Sequence, residues 1–365
     1  MRIAYGVGSE GMGHATRSQA VIDLMLSHGH EVHIFTSDRA FDFFAPKYKN
    51  VHRVKGFHLV YEENRLNSRK SVLWNIRHLP EGFMPAIRTV ARMFEQLKPN
   101  VIVSDFEFFT AFFGRAGGIP VIAANNISIV GKTRVAMPAR KLRRAKRMAV
   151  TTSQLLTFKP TWYVIPTFFS PRVKGKNVIL TAPVVRDKIV KAKPTWGKHI
   201  LVYQTSPTCL KLLHNLKSTK EKFVVYGFGA RPREGNLKFC PFNDTTFIKD
   251  LASAKAVITG GGFSLISEAL YLKKPILSVP LRDHFEQITN GYYLRELRYG
   301  DYNIEPTPQD VEAFLAKLSV YKESLRHYHF HPAEFARTIE ALCHRVAKEP
   351  KERRLRRLAR LIREL

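Results

Sequence analysis

Most of the residues able to do chemistry crowd into one stretch of the chain's second half. Gly260, Gly261 and Gly262 stand together, Phe263 and Ser264 follow, then Ser267 and Glu268, and after a gap come Glu286, Gln287 and Asn290. Consecutive glycines let a backbone turn tightly and approach a ligand closely. A helix starting just after them would offer free N–H groups and the positive end of its dipole, which suits a phosphate. The elements that must position these groups follow from the pattern. Residues 256–258 are short, apolar and β-prone, and residues 263–272 have helical spacing, with Leu265, Ala269 and Leu272 on one face. Residues 275–280 read as a buried strand, with a second helix after it. All the polar groups then lie near the carboxyl edge of a parallel sheet, where open α/β folds bind ligands.

This ordered set resembles the donor-binding motif of GT-B glycosyltransferases, including the MurG-type enzymes and the UDP-glucuronosyl- and UDP-glucosyltransferases. The resemblance implies that Glu268 holds the ribose hydroxyls of a nucleotide. It also implies that Glu286, Gln287 and Asn290 meet the donor sugar, and that Gly260, Gly261, Gly262, Phe263 and Ser264 line the donor site. The chemistry agrees, because a carboxylate has two acceptor oxygens and an acid–amide pair can satisfy several hydroxyls. Taken singly, each piece has a plainer reading. Three glycines make an ordinary turn, and a lone Glu on a helix is usually solvated.

The amino terminus reads as a strand over residues 2–7, a glycine loop and a helix over 15–28. No Lys-Ser/Thr follows the glycines, so the loop is not a Walker loop. Gly6-x-Gly8-x-x-Gly11 matches the dinucleotide fingerprint, with Asp38 after the second strand, but the loop runs on through Gly13 and His14. It is similar to the Gly-x-Gly-His-x-x-Arg turn of the same glycosyltransferases. An archaeal and bacterial branch carries Gly-x-Gly-His-Ala-Thr-Arg, here residues 11–17, which places Gly11, Gly13 and Arg17 on an acceptor-side loop. The resemblance continues through Asp105 and Glu107 and through residues 236–242, and it runs to about Val346. His14 would face a cleft between domains, where a neutral imidazole could take a proton from an attacking hydroxyl. Its bland role is bracing or capping. Asp105 and Glu107 rival it as the base, and Asp105 could instead cap the helix that carries Phe109, Phe112 and Phe113.

The chain has 365 residues and is 45% apolar, enough for two α/β domains. Strands read at 2–7, 31–36, 51–55, 101–104 and 120–123, with a long helical stretch over 71–97. A second series begins at 199–203 and continues at 223–226, 237–240, 256–258 and 275–279. We therefore expect two Rossmann-like, doubly wound parallel-sheet domains facing a cleft. An acceptor domain would span 1–185, a donor domain 186–346, and a basic amphipathic tail 347–365. Thr205 and Ser206 end a strand and could meet a phosphate or merely cap a helix. Phe242 could stack on the base or belong to the core. Cys209, Cys240 and Cys343 form no metal or disulfide pattern. With no Asp-x-Asp, no apolar run long enough to span a membrane and no leader pattern, the expectation is a metal-independent, cofactor-free cytoplasmic enzyme.

The charge departs from an ordinary enzyme. Lys and Arg number 59 against 30 Asp and Glu, a formal net charge of +29. Residues 132–147 hold eight basic residues and no acid. In the tail, Leu355, Leu358, Ile362 and Leu365 would share one helical face among arginines, as in an interfacial helix. An anionic membrane surface is the preferred partner, ahead of a merely solvated tail. Nucleic acid ranks last, since no nucleic-acid-binding module is visible. The expected activity is transfer of a sugar from a nucleotide-sugar donor, with UDP favoured, to a hydroxyl acceptor, with inversion. A lipid-linked or envelope glycan is among the acceptors considered. A nucleotide-sugar epimerase or hydrolase, or a noncatalytic binding protein, is the alternative.

Overall fold

The computed structural model describes residues 1–9, 12–54, 56, 90–136, 138–204 and 210–347, with 61–62, 65–66, 73, 77 and 88 between them. The long helical stretch expected over 71–97 and the tail from 348 onward therefore lie largely or wholly outside the described residues. Two parallel sheets dominate. The strands of the first are, in chain order, Arg2–Val7, Glu31–Thr36, Val51–Arg53, Val101–Asp105, Val121–Ala124, Trp162–Pro166 and Val178–Thr181. In space they run third, second, first, fourth, fifth, sixth, seventh, and every neighbouring pair is parallel. The second sheet has His199–Tyr203, Lys222–Tyr226, Leu237–Phe239, Ala256–Thr259, Ile276–Ser278 and Gly300–Tyr302. Its order is the same: third, second, first, fourth, fifth, sixth, again all parallel. Helices cover both faces, so central strands such as Val101–Asp105 are buried along their whole length.

This order has a functional consequence. The winding of the strand order reverses between the first and fourth strands of each sheet, and the loops leaving them diverge to open a crevice. In the first sheet the crevice lies beyond Val7 and Asp105, and in the second beyond Tyr203 and Thr259.

Three strands of these two sheets escaped the sequence reading, as did the short antiparallel pair Tyr61–Glu62 and Arg65–Leu66. Val178–Thr181 and Gly300–Tyr302 are short edge strands, too brief for a period to show. Trp162–Pro166 ends on a proline, which reads as a breaker but is tolerated where a strand stops. The last described helix, Glu334–Ala347, follows the second sheet in sequence yet packs on the first. Phe335, Ile339, Leu342 and Val346 are buried with Ile3, Val21, Met25 and Val164. No helix among the described residues is long and apolar enough to cross a membrane.

Candidate active site

The Met12–Ser27 helix starts at the first crevice, and the Val101–Asp105 strand ends there. Between them they bring His14, Arg17 and Asp105 together. His14 Nδ1 lies 2.8 Å from Asp105 Oδ1. Arg17 donates from Nε to Oδ2 at 3.0 Å and from Nη2 to Oδ1 at 2.7 Å. Ser18 Oγ donates to Oδ2 at 3.2 Å. Asp105 is fully buried, and His14 and Arg17 nearly so. Burial alone would raise the Asp105 carboxyl, but the Arg17 guanidinium and His14 outweigh it and hold the group below the usual carboxylate range. The carboxylate also bears on the histidine tautomer. Nδ1 also lies 3.0 Å from Arg17 Nη2, so it faces both a carboxylate oxygen and a guanidinium N–H; the tautomer that donates from Nδ1 to Asp105 is the one that keeps a lone pair on Nε2.

Phe106 holds this arrangement at a turn. Its φ is +64°, a left-handed conformation that costs a non-glycine residue roughly 1–2 kcal/mol. The turn lays its ring parallel to the His14 imidazole, with centroids 5.8 Å apart. Glu107 does different work from the base considered for it. Oε1 accepts from Phe109 N at 2.8 Å, and Oε2 accepts from Thr110 N at 2.8 Å and Thr110 Oγ1 at 2.6 Å. It caps the Phe108–Ala116 helix, the task the sequence allowed to Asp105. Burial raises its carboxyl despite these bonds.

The second crevice holds the glycine turn. Gly261 has φ +82°, and a Cβ there would come within 2.8 Å of Ser278 Oγ. Asn290, buried, donates from Nδ2 to Gly261 O at 3.0 Å, so its amide braces the turn. The turn feeds the Phe263–Tyr271 helix, in which Gly262 is the N-cap. Phe263 is buried and packs against Phe168, while Ser264 is half-buried at the first turn. The two helix starts face each other: a Cβ on Gly13 would lie 2.7 Å from Ser264 Oγ. Glu286 reaches across the same gap and accepts from Asn126 Nδ2 at 2.5 Å, and Arg17 Nη1 donates to Asn126 Oδ1 at 2.8 Å. A polar chain thus joins His14 and Asp105 to Glu286 through Arg17 and Asn126.

Glu268 is buried, and both of its oxygens meet one guanidinium. Arg186 donates from Nε to Oε1 at 2.6 Å and from Nη2 to Oε2 at 2.8 Å, and it also pairs with Asp244. Gln287 accepts from Leu281 N through Oε1 at 2.9 Å, which leaves its amide N–H groups for other partners. Phe242 is 59% exposed beside Tyr203 and Phe247, an open ring where a strand-end Phe is usually core. Gln204 is buried, and its Nε2 has no hydrogen-bond partner among the described residues. Gly11, Thr205 and Ser206 lie outside them. Sequence reasoning missed Arg186, Asn126 and Phe106. Arg186 and Asn126 become visible only as partners of acidic groups distant in sequence.

Two facing parallel-sheet domains, each with polar groups gathered at the point where its strand order reverses, define the GT-B class of fold. Solved structures agree. The calicheamicin glycosyltransferase CalG4 superposes with a TM-score of 0.63 at 17% identity, covering 96% of this chain and 99% of that one. MurG of Acinetobacter baumannii gives a TM-score of 0.59 at 16% identity, covering 94% and 99%. The chain belongs to glycosyl transferase family 1, which it matches over residues 1–319. Two proteins named "uncharacterized glycosyltransferase" are each 24% identical to it. One, from Methanosarcina acetivorans, aligns over 82% of this chain and 83% of its own length; the other, from Methanosarcina mazei, over 85% and 88%. The protein is a glycosyltransferase of the GT-B fold.

Proposed function

We propose that the protein transfers a sugar from a nucleotide-sugar donor to a hydroxyl acceptor by direct displacement, with inversion at the anomeric carbon. The observation that carries this reading is the buried His14–Asp105 pair at one helix start, opposite the glycine turn and helix start of the second domain. His14 Nε2 takes the proton of the acceptor hydroxyl as that oxygen bonds to the anomeric carbon. The bond from that carbon to the diphosphate breaks, and its electron pair leaves with the diphosphate. Asp105 holds the imidazole and steadies the imidazolium that forms. The two converging helix starts offer N–H groups and positive dipole ends to the departing charge, with no metal in the scheme.

On the donor side, Glu268 takes the ribose hydroxyls through the lone pairs Arg186 leaves free, and Gln287 and Glu286 meet the sugar. Phe242 offers an open ring to the base, with UDP favoured because the families resembled use it. Residues 1–185, with the Glu334–Ala347 helix packed on them, then serve the acceptor, and 186–333 the donor. The exposed Arg143, Arg144 and Arg147 support docking at an anionic membrane, and with it a lipid-linked or envelope acceptor on the cytoplasmic face.

A thermal-shift screen over nucleotides and nucleotide sugars identifies the donor, since a ligand that binds only the folded state raises its melting temperature. Release of nucleoside diphosphate is then followed with and without acceptor alcohols. Release that requires an acceptor supports transfer. Release without one marks a hydrolase, and binding with neither marks a noncatalytic protein.

A further inference from the structure

A second cluster of chemistry-bearing side chains lies away from both crevices, where the Glu334–Ala347 helix meets the first domain. His30, Glu340 and His344 each direct one ligand atom into a space where all three atoms lie within 4.8 Å of one another. Glu340 and His344 are one turn apart on the same helix, so one face presents both. His30 comes from the loop after the Met12–Ser27 helix, and its Nε2 is 3.1 Å from Glu340 Oε1. His28 Nδ1 lies 2.6 Å from the same oxygen. His30 is 8% exposed, its Nδ1 faces the Met1 amino group at 3.3 Å, and its ring lies 5.2 Å from that of His344.

We propose that these groups form a transition-metal site, of the class that takes zinc, and that the metal clips the last helix to the first domain. Two imidazole nitrogens and one carboxylate oxygen are the borderline donors zinc prefers. In a tetrahedral zinc site, bonds of about 2.0–2.1 Å place ligand atoms about 3.4 Å apart. The separations to be closed are at most 4.8 Å, and Glu340 and the exposed His344 are the less buried of the three. Either His28 or a water fills the fourth position. The ligands come from residues 28–30 and 340–344, so binding ties together chain segments that are far apart in sequence. Neither His14 nor Glu268 takes part, so the site is independent of the sugar-transfer reading.

The test uses the full chain stripped with EDTA and titrated with zinc chloride, then with cobalt chloride. One equivalent of zinc should bind, raise the melting temperature by several degrees and slow hydrogen exchange in residues 334–347. Cobalt should give visible bands of a nitrogen–oxygen site, without the intense thiolate absorption that Cys209 or Cys240 would produce. His344→Ala is exposed and should fold normally, and it should weaken binding at least tenfold, as should Glu340→Gln. The proposal is overturned if zinc neither binds stoichiometrically nor shifts the melting temperature. Binding undiminished in His344→Ala, or a thiolate band with cobalt, equally overturns it.

Discussion

His14 and Asp105 work as a unit, and each can be tested alone. His14→Ala should lower kcat about 10²–10⁴-fold, the usual range for a lost general base, with donor affinity nearly unchanged. Full activity in that variant would remove His14 from the chemistry. Asp105→Asn has two effects. It permits the wrong histidine tautomer, which lowers turnover. It also leaves the buried Arg17 guanidinium without its partner, at a cost of about 3–5 kcal/mol in stability. The pH dependence follows from sign. The folded Asp105 carboxyl ionises below its unfolded value, so its stabilisation is complete above that value, about 3.9, and is lost as pH falls through the lower folded one. Denaturant melts of the two proteins should therefore differ most at neutral pH and converge in acid. A constant gap across that range would exclude the ion pair as its source.

Among the elements, the turn before the Phe263–Tyr271 helix tolerates least change. Gly261→Ala forces a Cβ into Ser278 Oγ and the Gln287 backbone at a φ of +82°. It should weaken donor binding sharply while the rest of the second sheet stays folded, which nucleotide calorimetry and circular dichroism would separate. Glu268→Ala should cost about ten- to a hundredfold in nucleotide affinity, since a hydrogen bond to a charged group contributes about 1.5–3 kcal/mol. Arg186 keeps Asp244 in that variant, so folding should survive. Unchanged affinity would place Glu268 outside the ribose site. Gln287→Ala should affect the nucleotide sugar more than the bare nucleotide.

Over the whole molecule, the chain crosses between domains twice, once after the first sheet and again to reach Glu334. Domain closure is therefore constrained at both crossings, and the cleft is bridged by Asn126 and Glu286. Among the described residues the core ends with the helix that buries Val346. Deleting residues 351–365 should leave the melting temperature nearly unchanged but reduce binding to anionic vesicles, with little effect on neutral ones. Equal partitioning of the truncated and full-length proteins would remove the tail from membrane attachment and leave residues 132–147 as the candidate surface.

Periodicity over residues 199–203 and 256–279 and the glycine turn carried the second sheet and its family resemblance without coordinates. Those signals are local, because strand burial, turn geometry and helix starts depend on neighbours a few residues away. The same is true of the first strand, the loop at His14 and the strand ending at Asp105. What the sequence left open were choices among partners. It preferred His14 as the base with Asp105 and Glu107 as rivals, and only packing made Glu107 a helix cap and Asp105 the anchor of His14. It put Glu268 on a helix but did not reveal Arg186, 82 residues away. It assigned residues up to 346 to the second domain, whereas the helix of Glu340 and His344 lies against the first. A charged group's role is set by the groups that desolvate and pair with it, and those are brought near only by the tertiary fold.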